Sequence, residues 1–141
     1  MKKISDKIEE IEGFLSQLEE IKPSTLEEYE KDFKAKAACE RYFEKIVESI
    51  IDLAFIFIKG KEIEMPEDDE SALDTLVRNS VITDNLAKKV KEAKGMRNII
   101  AHLYGSVNDE LVFEALDSEI IFDVNEFLSS IRKCLDVGYG T

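Results

Sequence analysis

The 141-residue chain is 44% apolar and 35% charged, carries a formal net charge of −12, and has two cysteines and one histidine. This is the composition of one folded domain, not of a disordered chain, and such acidity works against a grip on phosphate backbones by the whole surface. The longest apolar run, Ile50 to Ile58, is broken by Asp52 and falls well short of the roughly 18 residues that cross a bilayer. From the N-terminus, Met1-Lys2-Lys3-Ile4 leads into a charged helical pattern with no signal-peptide core, so the chain reads as cytoplasmic. Ile4, Ile8, Ile11, Leu15 and Leu18 then lay one apolar stripe along a first helix. Pro23 ends it, and Ser24-Thr25-Leu26-Glu27 has the form of a capping box. A long second helix is expected from there to about Lys59, with Gly60 as its C-terminal cap. Its apolar face runs from Phe33 and Ala37 through Ile46, Ile50, Leu53, Ala54 and Phe57.

An acidic loop around Pro66 follows, in which Lys61 stands against six acids up to Glu70. Its Glu67-Asp68-Asp69-Glu70 run favours a helix N-terminus, and a short helix is expected near Glu70 to Asn79. Thr83 or Asp84 caps a further helix reaching about Tyr104, where Gly105 stops it. Asn108 to Leu116 and Glu119 to Val137 read as a short helix and a final amphipathic one, before a frayed Gly138-to-Thr141 tail. Glu119 to Phe122 could form a strand in isolation, but nothing in the sequence could pair with it. Phe113, Phe122 and Phe127 are assigned to core or dimer contacts. The expected architecture is all-α: an antiparallel up-and-down bundle of four main helices plus short helices, one domain over residues 1–141.

Cys39 and Cys134 form no C-x-x-C pair and read as helix-packing thiols. With one histidine there is no histidine-rich metal site. A di-metal carboxylate bundle would need repeated Glu-x-x-His pairs, which are absent. No metal and no cofactor is expected.

The segment that can carry chemistry is Gly95-Met96-Arg97-Asn98-Ile99-Ile100-Ala101-His102-Leu103-Tyr104. At about 100° per residue, Asn98 and His102 share one face as an i, i+4 pair, while Arg97 and Tyr104 share another. One helix end thus gathers a fixed positive charge, an amide, an imidazole and a phenol. Arginine grips phosphate bidentately and stabilises developing negative charge, and histidine moves protons at neutral pH. On RNA the 2′-hydroxyl is a built-in nucleophile. The same stretch lies in the one cation-rich segment: between Thr83 and Tyr104, Lys88, Lys89, Lys91, Lys94 and Arg97 face only Asp84 and Glu92. The plainer alternative is structural, with His102 as a cap or polar packing group, Arg97 paired to an acid on another helix and Asn98 bridging helices.

Arg97-Asn98-x3-His102-x-Tyr104 resembles the R-x4-H motif of the HEPN superfamily, and the fuller stretch from Gly95 to Tyr104 is most similar to its HepT-like toxin branch. The resemblance covers residues 1 to 137 in helix order and length, with Arg41 and Glu48 falling on the long helix as that branch's Arg and Glu do. Only Arg97 to Tyr104 is specific. The resemblance implies a metal-independent endoribonuclease toxin acting as a homodimer, with two motifs facing across a cleft. Arg97 and His102 would be catalytic and Asn98 would support them. It further implies a minimal nucleotidyltransferase antitoxin as partner, silencing the toxin by AMP addition to Tyr104. RNA would enter by the Lys88-to-Arg97 patch, Lys94 included, and the acidic remainder could face a basic antitoxin surface.

Along the second helix, Arg41, Glu44, Glu48 and Asp52 form a polar stripe. Arg41 and Glu48 could brace the cleft, Glu48 orienting His102 or pairing Arg97; the alternative is an intrahelical ladder of ion pairs. Two other functions remain open. One is a non-catalytic helical partner, or substrate, of a minimal nucleotidyltransferase. The other is a phosphotransfer bundle with one phosphate-accepting histidine. Such domains usually place a lysine three residues after the histidine, where Gly105 stands here.

Overall fold

A computed structural model describes residues 2–102 and 108–140, with side chains through Leu135. Every regular element among them is helical: α1 (Lys2–Ile21), α2 (Leu26–Lys31), α3 (Phe33–Gly60), α4 (Asp69–Arg78), α5 (Asp84–His102), α6 (Asp109–Glu114) and α7 (Ile120–Gly140). A π-helical stretch, Ala115–Glu119, joins α6 to α7.

The α1 stripe is buried as expected, with Ile4, Ile8, Ile11, Leu15 and Leu18 all facing inward. It packs antiparallel on α3. Gly60 lies opposite Ile4, so that a Cβ there would stand 3.6 Å from Ile4 Cδ1. Lys7 pairs with Asp52 at 3.7 Å, and Ser49 Oγ donates to Glu10 Oε1 at 3.4 Å. Phe43, Ile46, Ile50, Leu53 and Phe57 form the buried spine of α3, each worth about 1.5–3 kcal/mol of transfer free energy. Arg132 of α7 pairs with Glu12 in the middle of α1 at 2.8 Å, and Lys22, just past the end of α1, pairs with Asp117 of the π-helical stretch at 3.3 Å.

The expected long second helix is two helices. The chain leaves helical geometry at Asp32 (φ −98°, ψ 87°), whose carboxylate accepts from Ala35 N at 3.1 Å and so caps α3. The break swings α2 so that Tyr29 is fully buried, its hydroxyl donating to Glu40 at 3.1 Å beside the Phe113 ring. Lys36 reaches Asp109 at 2.7 Å, fastening α6 to the same corner. Phe33 and Ala37 therefore do not begin the apolar face; Phe33 is 74% exposed. The capping box also sits one residue later than read. Thr25 Oγ1 accepts from Glu28 N, and Glu28 reaches back to Ser24 N.

Gly60 is the last residue of α3 rather than its reversal point. That role falls to Glu62 (φ 59°), with Ile63 N donating to Ile58 O and Glu62 N to Lys59 O. This is a Schellman motif. Asn79 to Val81 repeats it after α4, with Ser80 at φ 59°. Asp68 caps α4 by accepting from Ser71 N at 2.8 Å, which holds its carboxyl below the usual aspartate range.

The expected break between Leu116 and Glu119 is absent: helix runs without interruption from Asp109 to Gly140, and Glu119 to Phe122 lies within it. A π turn takes in an extra residue, which keeps Val112, Leu116, Ile120 and Val124 on the buried side. Of the three phenylalanines, Phe127 is core and Phe113 half-buried, whereas Phe122 is 64% exposed. Both cysteines are free; burial pushes the Cys39 thiol up to about 11. No helix among the described residues is long and apolar enough to cross a membrane.

Candidate functional site

Helix α5 is capped by Thr83, whose Oγ1 accepts from Leu86 N at 3.1 Å. Leu86, Ala87, Val90 and Ile100 turn inward. That phase brings Arg97, three residues before Ile100, against α3. Its Nη2 donates to Glu48 Oε1 at 2.5 Å and its Nη1 to Asn98 Oδ1 at 3.0 Å. The Nε is buried and has no acceptor among the described residues. Two acceptors on one planar fork fix the guanidinium in orientation as well as position.

Asn98 thus turns its amide oxygen to Arg97 and not to His102. Asn98, Ile99 and His102 are exposed, and an added Cβ on Gly95 would meet nothing within 4 Å. This side of α5 is an open face. Arg97 itself lines a pocket of about 150 Å³ with Glu48, Asp52, Asp69 and Lys94, smaller than the roughly 300–1,000 Å³ of ordinary ligand sites. Arg97 and His102 are five residues apart on a continuous helix, so their side chains diverge by about 140°. Tyr104 lies outside the described residues.

The polar stripe on α3 divides three ways. Arg41 pairs with Glu44 within the helix at 3.1 Å, Asp52 pairs with Lys7 of α1, and Glu48 crosses to Arg97. Arg41 is therefore not brought to Arg97, and Glu48 is.

The cation-rich segment is not a bare basic patch. Lys89 faces Asp123 of α7 at 3.7 Å, Lys91 faces Asp74 of α4 at 2.7 Å, and Lys94 faces Asp69 of α4 at 3.4 Å. The hydrogen bond to Asp74 raises the Lys91 pKa. With Arg97 on Glu48, only Lys88 of the five cations has no carboxylate partner among the described residues. Sequence reasoning missed Asp69, Asp74 and Asp123, because pairing between helices leaves no spacing signal in one dimension. No group of three His, Cys, Asp or Glu side chains is placed to hold a metal ion among the described residues.

The fold is shared with solved structures of low sequence identity. It matches the tri-AMPylated HEPN toxin of Shewanella oneidensis, solved in complex with an MNT antitoxin, at a TM-score of 0.83 and 22% identity, covering 92% of this chain and 96% of that one. It matches the Bacillus subtilis cytosolic protein YutE at a TM-score of 0.80 and 18% identity, covering 99% and 93%. The chain belongs to the ribonuclease HepT-like family, whose sequence profile matches residues 4–131. Characterised relatives include the mRNA nuclease HepT of Shewanella oneidensis, 23% identical over 105 residues (74% of this chain, 78% of that one). The tRNA nuclease HepT of Aphanizomenon flos-aquae is 24% identical over 136 residues, 92% of each chain.

Proposed function

We propose that this chain is a metal-independent endoribonuclease, the toxin of a toxin–antitoxin pair whose other member is a minimal nucleotidyltransferase, acting in the cytoplasm. His102 takes the proton from an RNA 2′-hydroxyl as that oxygen attacks the adjacent phosphorus. Arg97 stabilises the charge on the phosphoryl oxygens, and the 5′-oxygen leaves with a proton taken from water, giving a 2′,3′-cyclic phosphate and a 5′-hydroxyl. Asn98 and Glu48 hold the guanidinium fork, and Lys94 and Lys88 lie along the approach.

The observation that carries this reading is the contrast within the motif: Arg97 is clamped by two acceptors while His102, 140° away, is exposed on an open face. Within one copy the two groups leave the helix on different sides. Two copies with α5 face to face would let the arginine of one meet the histidine of the other, which favours a homodimer as the active species. AMP addition to Tyr104, two residues past His102 in the sequence, is the means by which the nucleotidyltransferase would silence the toxin.

The test is incubation of the purified chain with mixed RNA in EDTA, beside His102→Ala and Arg97→Ala variants shown to fold by circular dichroism. Cleavage by the wild type alone, leaving cyclic phosphate ends, is expected. Equal inactivity of all three, with Tyr104 unmodified by mass spectrometry, would favour a non-catalytic partner of the nucleotidyltransferase. The pre-paired cations of α5 are the observation that suits that second reading.

A further inference from the structure

On the side of α5 away from Asn98 and His102, a groove of about 470 Å³ opens between α5, α6 and the start of α7. Its floor is apolar, built from Phe43, Ala93, Met96 and Ile120. Two large apolar side chains stand uncovered on its walls, Leu111 at 53% exposure and Phe122 at 64%. Around them are four carboxylates: Glu92 from α5, Glu114 from α6, Glu119 from the π turn and Asp123 from α7. The one cation, Lys89, lies between Asp123 (3.7 Å) and the Phe122 ring (5.8 Å). None of these groups takes part in the chemistry proposed above.

We propose that this groove docks a segment of the partner protein that carries an apolar anchor side chain flanked by lysines or arginines. The apolar floor and the exposed Leu111 and Phe122 supply the area that rewards burial. The surrounding acids supply complementarity to cations and reject anions. Burial raises the Glu119 carboxyl, and Glu114, Asp123 and Glu92 raise it further. Burial likewise raises that of Asp123, against the opposing effect of Lys89. An incoming cation would relieve that crowding. A nucleic acid is repelled by the same groups. A second copy docking by its own groove would set four carboxylates against four. This assignment rests on the partner-binding half of the function proposed above and is independent of the nuclease half.

The probe is a fluorescein-labelled amphipathic peptide of roughly 18 residues, long enough to be helical, made of leucine and lysine, with a leucine–glutamate twin. Binding to the whole chain is followed by anisotropy and localised by backbone amide shifts. The compared variants are Leu111→Ser with Phe122→Ser, and Glu114→Gln with Glu119→Gln. All four positions are exposed, so the fold should survive both. Glu62→Gln with Glu64→Gln, in the acidic loop, removes the same charge elsewhere. Each groove pair should weaken the lysine peptide by about tenfold or more, the loop pair by less than about twofold, with shifts centred on α6 and the start of α7. Equal weakening by the loop pair, binding of the glutamate twin, or indifference to the groove pairs would overturn the proposal. So would loss of a wild-type dimer in the Leu111/Phe122 variant by sedimentation, which would make a second copy the occupant. Cleavage of RNA in EDTA is measured on the same samples. Intact cleavage without peptide binding rejects the groove alone, and peptide binding without cleavage rejects the nuclease alone.

Discussion

Arg97 is held by an acid from another helix and an amide from its own, and the two contacts have different consequences when removed. Glu48→Gln keeps an acceptor but deletes the charge. Because the pair is partly exposed, the stability loss should be about 1 kcal/mol or less by urea titration. RNA cleavage should nonetheless fall about tenfold, since the fork loses its strongest restraint. Arg97→Lys keeps the charge but cannot reach Glu48 and Asn98 together, and should lower cleavage by about 100-fold with little change in folding. Gly95 behaves oppositely. Nothing lies within 4 Å of a Cβ placed there, so Gly95→Ala should raise stability by about 0.8–1 kcal/mol. It should also lower cleavage, because the methyl stands on the open face that RNA and the second copy would share. At this scale the sequence named the motif residues and the Glu48–Arg97 option directly. It could not say that Asn98 serves Arg97 in preference to His102, since an i, i+4 spacing permits a bond without deciding between rival partners.

Helix ends explain most of the boundaries that sequence reading misplaced. Glycine is the usual left-handed residue after a helix, so Gly60 drew the stop to itself. The chain instead reverses at Glu62 after α3 and at Ser80 after α4, both at φ 59°. An L-residue there costs about 1–2 kcal/mol. Ser80→Gly should therefore raise stability by about 0.5–1 kcal/mol after allowance for glycine's unfolded entropy, read as a higher urea midpoint at unchanged slope. The break at Asp32 was hidden for a related reason: it uses a side-chain cap within a helix-favouring stretch, with no proline or glycine to mark it. The π turn at 115–119 is equally unmarked. By contrast the α1 stripe, the Thr83 cap and the start of α4 were legible, because each is a local pattern whose physics is complete within one turn or one face.

The whole chain is acidic, and its titrations pull stability in two directions. Burial raises the carboxyls of Glu40, Glu119 and Asp123, so the native state holds these protons more tightly than the unfolded chain. Stability then falls as pH rises through their range. Asp68 is lowered by the Ser71 amide, so its contribution is full above the ordinary aspartate pKa of about 3.9 and is lost as pH falls through its folded value. Relief of self-repulsion at a net charge of −12 adds to the first trend. The thermal midpoint should accordingly be higher near pH 5.5 than at pH 7.5 and decline below about pH 4, which a calorimetric pH series would measure. The inter-helix ion pairs of α5 bear on how the protein meets polyanions at all. A lysine already neutralised by Asp69, Asp74 or Asp123 holds few mobile counterions to exchange, so each phosphate it accepts displaces a tethered carboxylate. Ordinary nucleic-acid binders lose affinity with ionic strength in proportion to the phosphates they contact. Here the dependence should be shallower than the number of cations on α5 implies, leaving the resting chain largely indifferent to the bulk of RNA around it.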